Sequence, residues 1–144
     1  YEKAGRYLAL DAHAPYLANA RQQLPGIETR VGVAPGYLQT MPPGLFDVAI
    51  ACDVLEHMTD EDAAATIMQL RRVAMRVIVL VPEGHQPQTE DGWNMGGEKW
   101  QTHRSEWNLA KLAAFGFQAT TWPNFYPPRP GCGRNAIFGI FTQN

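Results

Sequence analysis

The run Val77-Ile78-Val79-Leu80-Val81, closed by Pro82, constrains the fold more than any other segment. An apolar stretch without alternation forms a strand buried on both faces, as in a parallel sheet flanked by helices. The segments before it alternate in kind. Arg6-Tyr7-Leu8-Ala9-Leu10 reads as a strand ending at Asp11. His13 to Leu24 reads as a helix, with Pro15 suited to its first turn and Pro25-Gly26 as its stop. Tyr16 or Leu17, Ala20 and Leu24 share its inner face. Ile27 to Val33 is a second, weaker strand, with Val31 and Val33 on one side. Ala34 to Gly44 holds Pro35, Gly36, Pro42, Pro43 and Gly44 and is mostly loop. Val48 to Cys52 is a short buried strand that stops at an acidic turn.

Thr59 to Met75 is the clearest helix. Thr59 can cap it, with Asp62 in a capping-box position. Ile67, Leu70 and Val73 or Ala74 mark its buried face. Acids at its start and Arg71, Arg72 and Arg76 at its end complement the helix dipole. Glu83 to Arg104 has no convincing period, and a loop this long in a compact domain is usually a lid or disordered. Ser105 can cap a helix running to about Phe115, with Leu109, Leu112 and Ala113 inward and Gly116 as a left-handed end. Phe117 to Trp122 and Ala136 to Thr142 read as a terminal hairpin around a proline-rich turn, Pro123 to Arg134. This order predicts one α/β domain over residues 1–144, doubly wound and Rossmann-like. Its sheet is mostly parallel, with helices on both faces and an antiparallel hairpin at the carboxyl end.

Totals narrow the function. With 144 residues, 45% apolar and 18% charged, the chain can bury a sizeable core. Its net charge is −2 and its basic residues are scattered, so no clear nucleic-acid footprint is present. No apolar run reaches the length of a membrane span, and no signal peptide is visible at the start. Cys52 and Cys132 match no metal spacing, and the four histidines lack paired spacing, so no metal is expected. Cys52 is expected as a buried free thiol, and the usage favours a reducing cytoplasm.

The segment Phe46-Asp47-Val48-Ala49-Ile50-Ala51-Cys52-Asp53-Val54-Leu55-Glu56-His57-Met58 resembles the fourth-strand region of class I S-adenosylmethionine-dependent methyltransferases of the type 11/12 kind. A terminal hairpin is a further mark of that family. The resemblance covers nearly the whole chain and implies S-adenosyl-L-methionine as cofactor. Members open with a strand and a glycine-rich loop of the G-x-G-x-G type, and no such loop lies between Tyr1 and Asp11. Gly131-Cys132-Gly133-Arg134 matches by letters alone and reads as a turn. The simplest expectation is that this chain lacks the family's first strand, which would sit between the strands at Leu8 and Val48. Those strands would then close up, or another chain would fill the gap, or the segment exists outside this sequence.

The resemblance also implies roles. Asp11, at the end of the first strand, would accept hydrogen bonds from the ribose hydroxyls of the cofactor, with Ala12 beside it; the plainer reading is a helix-cap or turn aspartate. The next strand mouth, Val31-Gly32-Val33-Ala34-Pro35, lacks the acid that many members aim at the adenine amine. Adenine would be held by backbone and by apolar contact with Ala34 and Tyr37. Cys52, Asp53 and Val54 would line the methionine side, with His57 of the Leu-Glu-His signature nearby. Methyl transfer needs an acceptor in line with the sulfonium methyl and, for a hydroxyl or amine, a base. His103 is the first candidate and His85 the second; both can equally be solvated loop histidines. The lid tryptophans would clasp the acceptor or staple the lid to the core. The expected activity is methyl transfer to a small-molecule or glycan-type acceptor, with a homodimer as a candidate assembly. The alternative is a non-catalytic binding or interaction module of the same fold. A nicotinamide-dependent oxidoreductase shares the sheet type but not the Asp53-to-His57 pattern or the hairpin.

Overall fold

The computed structural model describes residues 5–128 and 132–143. Gly131, part of the expected turn before the last strand, lies outside them. Among the described residues there are two sheets. Strands β1 (Leu8–Asp11) and β2 (Glu28–Val31) pair in parallel, joined by helix α1 (Ala14–Gln23). A four-stranded sheet holds β3 (Phe46–Cys52), β4 (Ala74–Pro82), β5 (Gln118–Trp122) and β6 (Ala136–Thr142) in the order β3-β4-β6-β5. The pair β3–β4 is parallel, while β4–β6 and β5–β6 are antiparallel. The strands at Leu8 and Val48 thus lie in separate sheets, and among the described residues they do not close up on each other.

Helix α3 (Asp60–Val73) follows from its sequence. The Asp62 amide donates to Thr59 Oγ1 at 3.2 Å, and an N-cap of this kind contributes about 1 kcal/mol. Its buried stripe, Ala63, Thr66, Ile67, Leu70 and Val73, meets the inner face of the sheet. The helix ends two residues earlier than expected because Ala74 already turns extended and starts β4. Val77, Val79, Val81 and Ile137 form one core with Ile67, Leu70, Leu112 and Trp107. Gly139 is a point of close approach: a Cβ there would stand 2.7 Å from Leu112 Cδ2 and 3.1 Å from Val79 Cγ2.

The other face of this sheet is more open. Ile50 pairs with Ile78, and Ile78 with Ile140, yet Ile50 is 65% and Ile140 37% exposed. Alternation along β3 turns Ala51 inward and Val48, Ile50 and Cys52 outward, so Cys52 is exposed, contrary to the buried thiol expected.

The helix expected from Ser105 begins later. After the short helix α4 (Glu98–Gln101), Asn108 caps α5 (Leu109–Ala114), its Oδ1 accepting from the Lys111 amide at 2.8 Å. The shift rotates the helix: Leu112 is buried, while Leu109 and Ala113 are exposed. Gly116 ends it at φ +83°, as its left-handed role requires. The stretch expected as loop before β3 holds one short helix, α2 (Gly36–Gln39). Arg72 binds it to α3, donating to the Leu38 and Met41 carbonyls at 2.7 and 2.8 Å. Leu10 and Ala34 pack against the main core and carry the β1–β2 unit with it.

Candidate functional site

Parallel β3 and β4 end together, with Cys52 opposite Leu80. Antiparallel β6 starts at that end and runs away from it, so the segment before Ala136 arrives beside Pro82. A crevice beyond the carboxyl ends of strands is where open α/β sheets bind ligands. Here it is a cleft of about 500 Å³. Its floor holds Cys52, Asp53, Glu56 and His57; Gln86, Trp93 and His103 come from the lid and Tyr126 and Cys132 from the loop before β6.

The floor is built by a tight reversal after β3. The Asp53 amide donates to the Leu80 carbonyl at 2.9 Å, and Asp53 takes φ +50°, a region aspartate tolerates better than most residues. A 3-10 turn, Leu55–His57, follows at once. It points Glu56 inward, where the side chain is 1% exposed. Glu56 Oε2 and His57 Nδ1 are both buried without a hydrogen-bond partner. Burial first, and then the neighbouring Asp53, push the Glu56 carboxyl up to about 8 against the opposing pull of its own backbone amide. Burial pushes the His57 imidazole down, and His103 adds to it.

The lid delivers His103 to this pair. The Arg104 and Ser105 amides donate to the Glu56 carbonyl at 2.7 and 3.1 Å, and the Ser105 hydroxyl donates to the Leu55 carbonyl at 3.1 Å. Ser105 therefore pins the lid instead of capping a helix, and its Oγ also accepts from Trp107 Nε1 at 3.1 Å. His103 Nδ1 donates to the Gln86 carbonyl. A carbonyl only accepts, so Nδ1 carries a proton. The rings of His57 and His103 meet edge to face, 4.8 Å between centroids. The Tyr126 hydroxyl donates to Asp53 Oδ1, and burial followed by that carboxylate raises its pKa above the ordinary value. Burial, then Asp53 and Glu56, likewise push the Cys52 thiol up.

Elsewhere the lid folds about buried Asp91, which accepts from the Trp93, Met95 and Gly97 amides at 2.9, 2.7 and 3.0 Å. Burial opposes its charge, but the nearby Tyr16 hydroxyl and these amides outweigh that and hold its pKa at about 2. His13 Nε2 donates to the Met95 carbonyl at 2.8 Å and joins lid to α1.

The sequence-predicted residues divide accordingly. Cys52, Asp53, His57 and His103 meet in the cleft. His85 does not line it: it is 67% exposed and its Nδ1 donates to Glu106 Oε1 at 2.6 Å. Asp11 lies at the end of β1, half-buried, with Oδ1 accepting from the His13 amide at 2.7 Å. Burial raises its pKa, against the pull of His13 and the Ala12 amide. Ala12 follows it in the turn. Val54 precedes the 3-10 turn and packs with Ala34 against the main core. Of the tryptophans, Trp107 is a core staple, while Trp93 is exposed at the cleft rim. Sequence reasoning missed Glu56 as a site residue, and Gln86 and Tyr126 altogether. The adjacent donors in Leu55-Glu56-His57 were the available signal for the first.

No family model matches the chain, and no curated protein matches it. Its fold is that of the class I S-adenosylmethionine-dependent methyltransferases, as the likeness in Phe46–Met58 implied. It is similar to the Burkholderia thailandensis 1,6-didemethyltoxoflavin-N1-methyltransferase with bound 1,6-didemethyltoxoflavin and S-adenosylhomocysteine. That match has TM-score 0.62 and 17% identity over 99% of this chain and 63% of the other. The small RNA methyltransferase HEN1 matches at TM-score 0.57 and 12% identity, over 95% of this chain and 20% of its own. A TehB-like SAM-dependent methyltransferase from Corynebacterium glutamicum matches at TM-score 0.57 and 13% identity, over 96% and 68%. This chain thus spans less than two thirds of the first two. No helix among the described residues is long and apolar enough to cross a membrane.

Proposed function

We propose that the chain serves S-adenosylmethionine-dependent methyl transfer to a small-molecule or glycan-type acceptor. The observation that carries this reading is a lid-covered cleft at the carboxyl ends of parallel strands, in a fold shared with such enzymes. In this reading Asp11 binds the ribose, with Ala12 and Ala34 along the adenosine, all three outside the lining of that cleft, and Cys52, Asp53, Val54 and His57 face the methionine portion. A cleft of about 500 Å³ is in the range of small-molecule sites, typically about 300–1,000 Å³, which favours an enclosed acceptor. Proton loss from the acceptor falls to His103, which lines the cleft, whereas exposed His85 lies outside that lining. Calorimetric titration with S-adenosylhomocysteine tests the reading. One-to-one saturable binding is expected. No heat, with the family's upstream strand and glycine-rich loop restored and the fold verified by circular dichroism, favours the non-catalytic module instead.

A further inference from the structure

Glu56, His57 and His103 each offer one ligand atom, and these atoms lie within 4.8 Å of one another. We propose that they form a binding site for a divalent first-row transition cation at the floor of the cleft. Several independent features converge. Glu56 is 1% exposed and its Oε2 has no hydrogen-bond partner, an arrangement that costs stability unless something else meets that oxygen. His57 Nδ1 is buried and equally unpartnered. His103 Nδ1 donates to the Gln86 carbonyl, which orients the ring and makes Nε2 its ligand atom. A backbone carbonyl holding the distal N–H of a ligand histidine is the usual outer support of a metal site.

The donor set selects the cation. Two imidazole nitrogens and one carboxylate suit zinc, manganese, iron or cobalt, whereas magnesium and calcium take oxygen ligands. Bonds of about 2.0–2.2 Å place neighbouring ligands roughly 3–3.5 Å apart, so the three groups close by about an ångström on loading. The cation relieves the strain of the buried acid: it meets Oε2 and fixes Glu56 as carboxylate. Asp53 and Tyr126, joined by their hydrogen bond, line the same cleft. A substrate hydroxyl reaching a cation held there would have its pKa lowered and would release its proton to solvent in the open cleft before its oxygen attacked a methyl group. In the loaded protein Glu56, His57 and His103 would all be ligands, and none of them the base. This use rests on the proposed methyl transfer; the site itself does not.

The test reads metal alone, so its failure is separate from any failure of methyl transfer. Chelator-stripped protein is titrated with Zn²⁺, and with Mg²⁺ for comparison. One equivalent of Zn²⁺ is expected to bind, with no comparable uptake of Mg²⁺. Glu56→Gln, His57→Gln and His103→Gln should each weaken Zn²⁺ binding at least 10-fold, while His85→Gln leaves it unchanged. Co²⁺ added to the unaltered protein covers the case of a variant that misfolds. Visible ligand-field bands without an intense thiolate-to-cobalt band are expected. No Zn²⁺ binding, binding indifferent to all three substitutions, or a thiolate band assigning the metal to Cys52 or Cys132 overturns the proposal.

Discussion

Replacing Glu56 by glutamine is expected to flatten the dependence of stability on pH. The side chain is almost wholly enclosed, and its carboxyl moves from an ordinary 4.5 to about 8, chiefly through burial. In the unfolded chain it ionises above about pH 4.5; in the folded chain it keeps its proton to about pH 8. Between those limits the unfolded state binds fewer protons, so stability falls as pH rises. The contribution is full below the unfolded value and lost as pH climbs through the folded one. At about 1.36 kcal/mol per unit, roughly 2–3 kcal/mol disappears between about pH 5 and pH 7. Glutamine keeps the shape and cannot titrate. Urea unfolding of both proteins at a series of pH values, with chelator present, reads the difference. His57 is displaced the opposite way by burial, is common to both chains, and cancels in the comparison. Parallel pH slopes for the two proteins would refute the burial argument.

Three more outcomes are expected. Asp11→Ala should weaken S-adenosylhomocysteine binding about 10-fold or more, about 1.4 kcal/mol, by calorimetry; unchanged affinity removes Asp11 from the site. Asp91→Asn should speed hydrogen exchange at the Trp93, Met95 and Gly97 amides, which its carboxylate accepts from. In the unaltered protein that protection is present above the ordinary carboxylate range and lost as pH falls through about 2. Gly139→Ala should cost about 1–3 kcal/mol in urea unfolding, because the added carbon meets Leu112 and Val79; a neutral effect would mean the core yields there.

Much of the fold was legible because its causes are local. The run Val77–Val81 announced the central strand, Thr59 the start of α3 and Gly116 the end of α5, each by chemistry contained in a few residues. Ser105 misled because a cap and a tertiary anchor use the same hydroxyl: the Leu55 carbonyl and the Trp107 indole claimed it, and Asn108 took the cap. Cys52 misled because an apolar run does not say which face of its strand meets a helix. The candidate site was half legible. Asp53, His57 and His103 could be named from strand-end position and the family likeness. That Glu56 and His57 meet His103 depends on how the lid returns to the Glu56 carbonyl, a long-range contact that no spacing reveals. His85 and His103 look alike in sequence; only the first finds a partner in solvent-exposed Glu106.

A crystal structure of the chain grown with S-adenosylhomocysteine would probe the adenosyl site most directly. The ribose hydroxyls should lie within hydrogen-bond reach of the Asp11 carboxylate, with the sulfur facing the turn at Cys52 and Asp53. A ligand bound elsewhere, with Asp11 still engaged by the His13 and Ala12 amides, would contradict it.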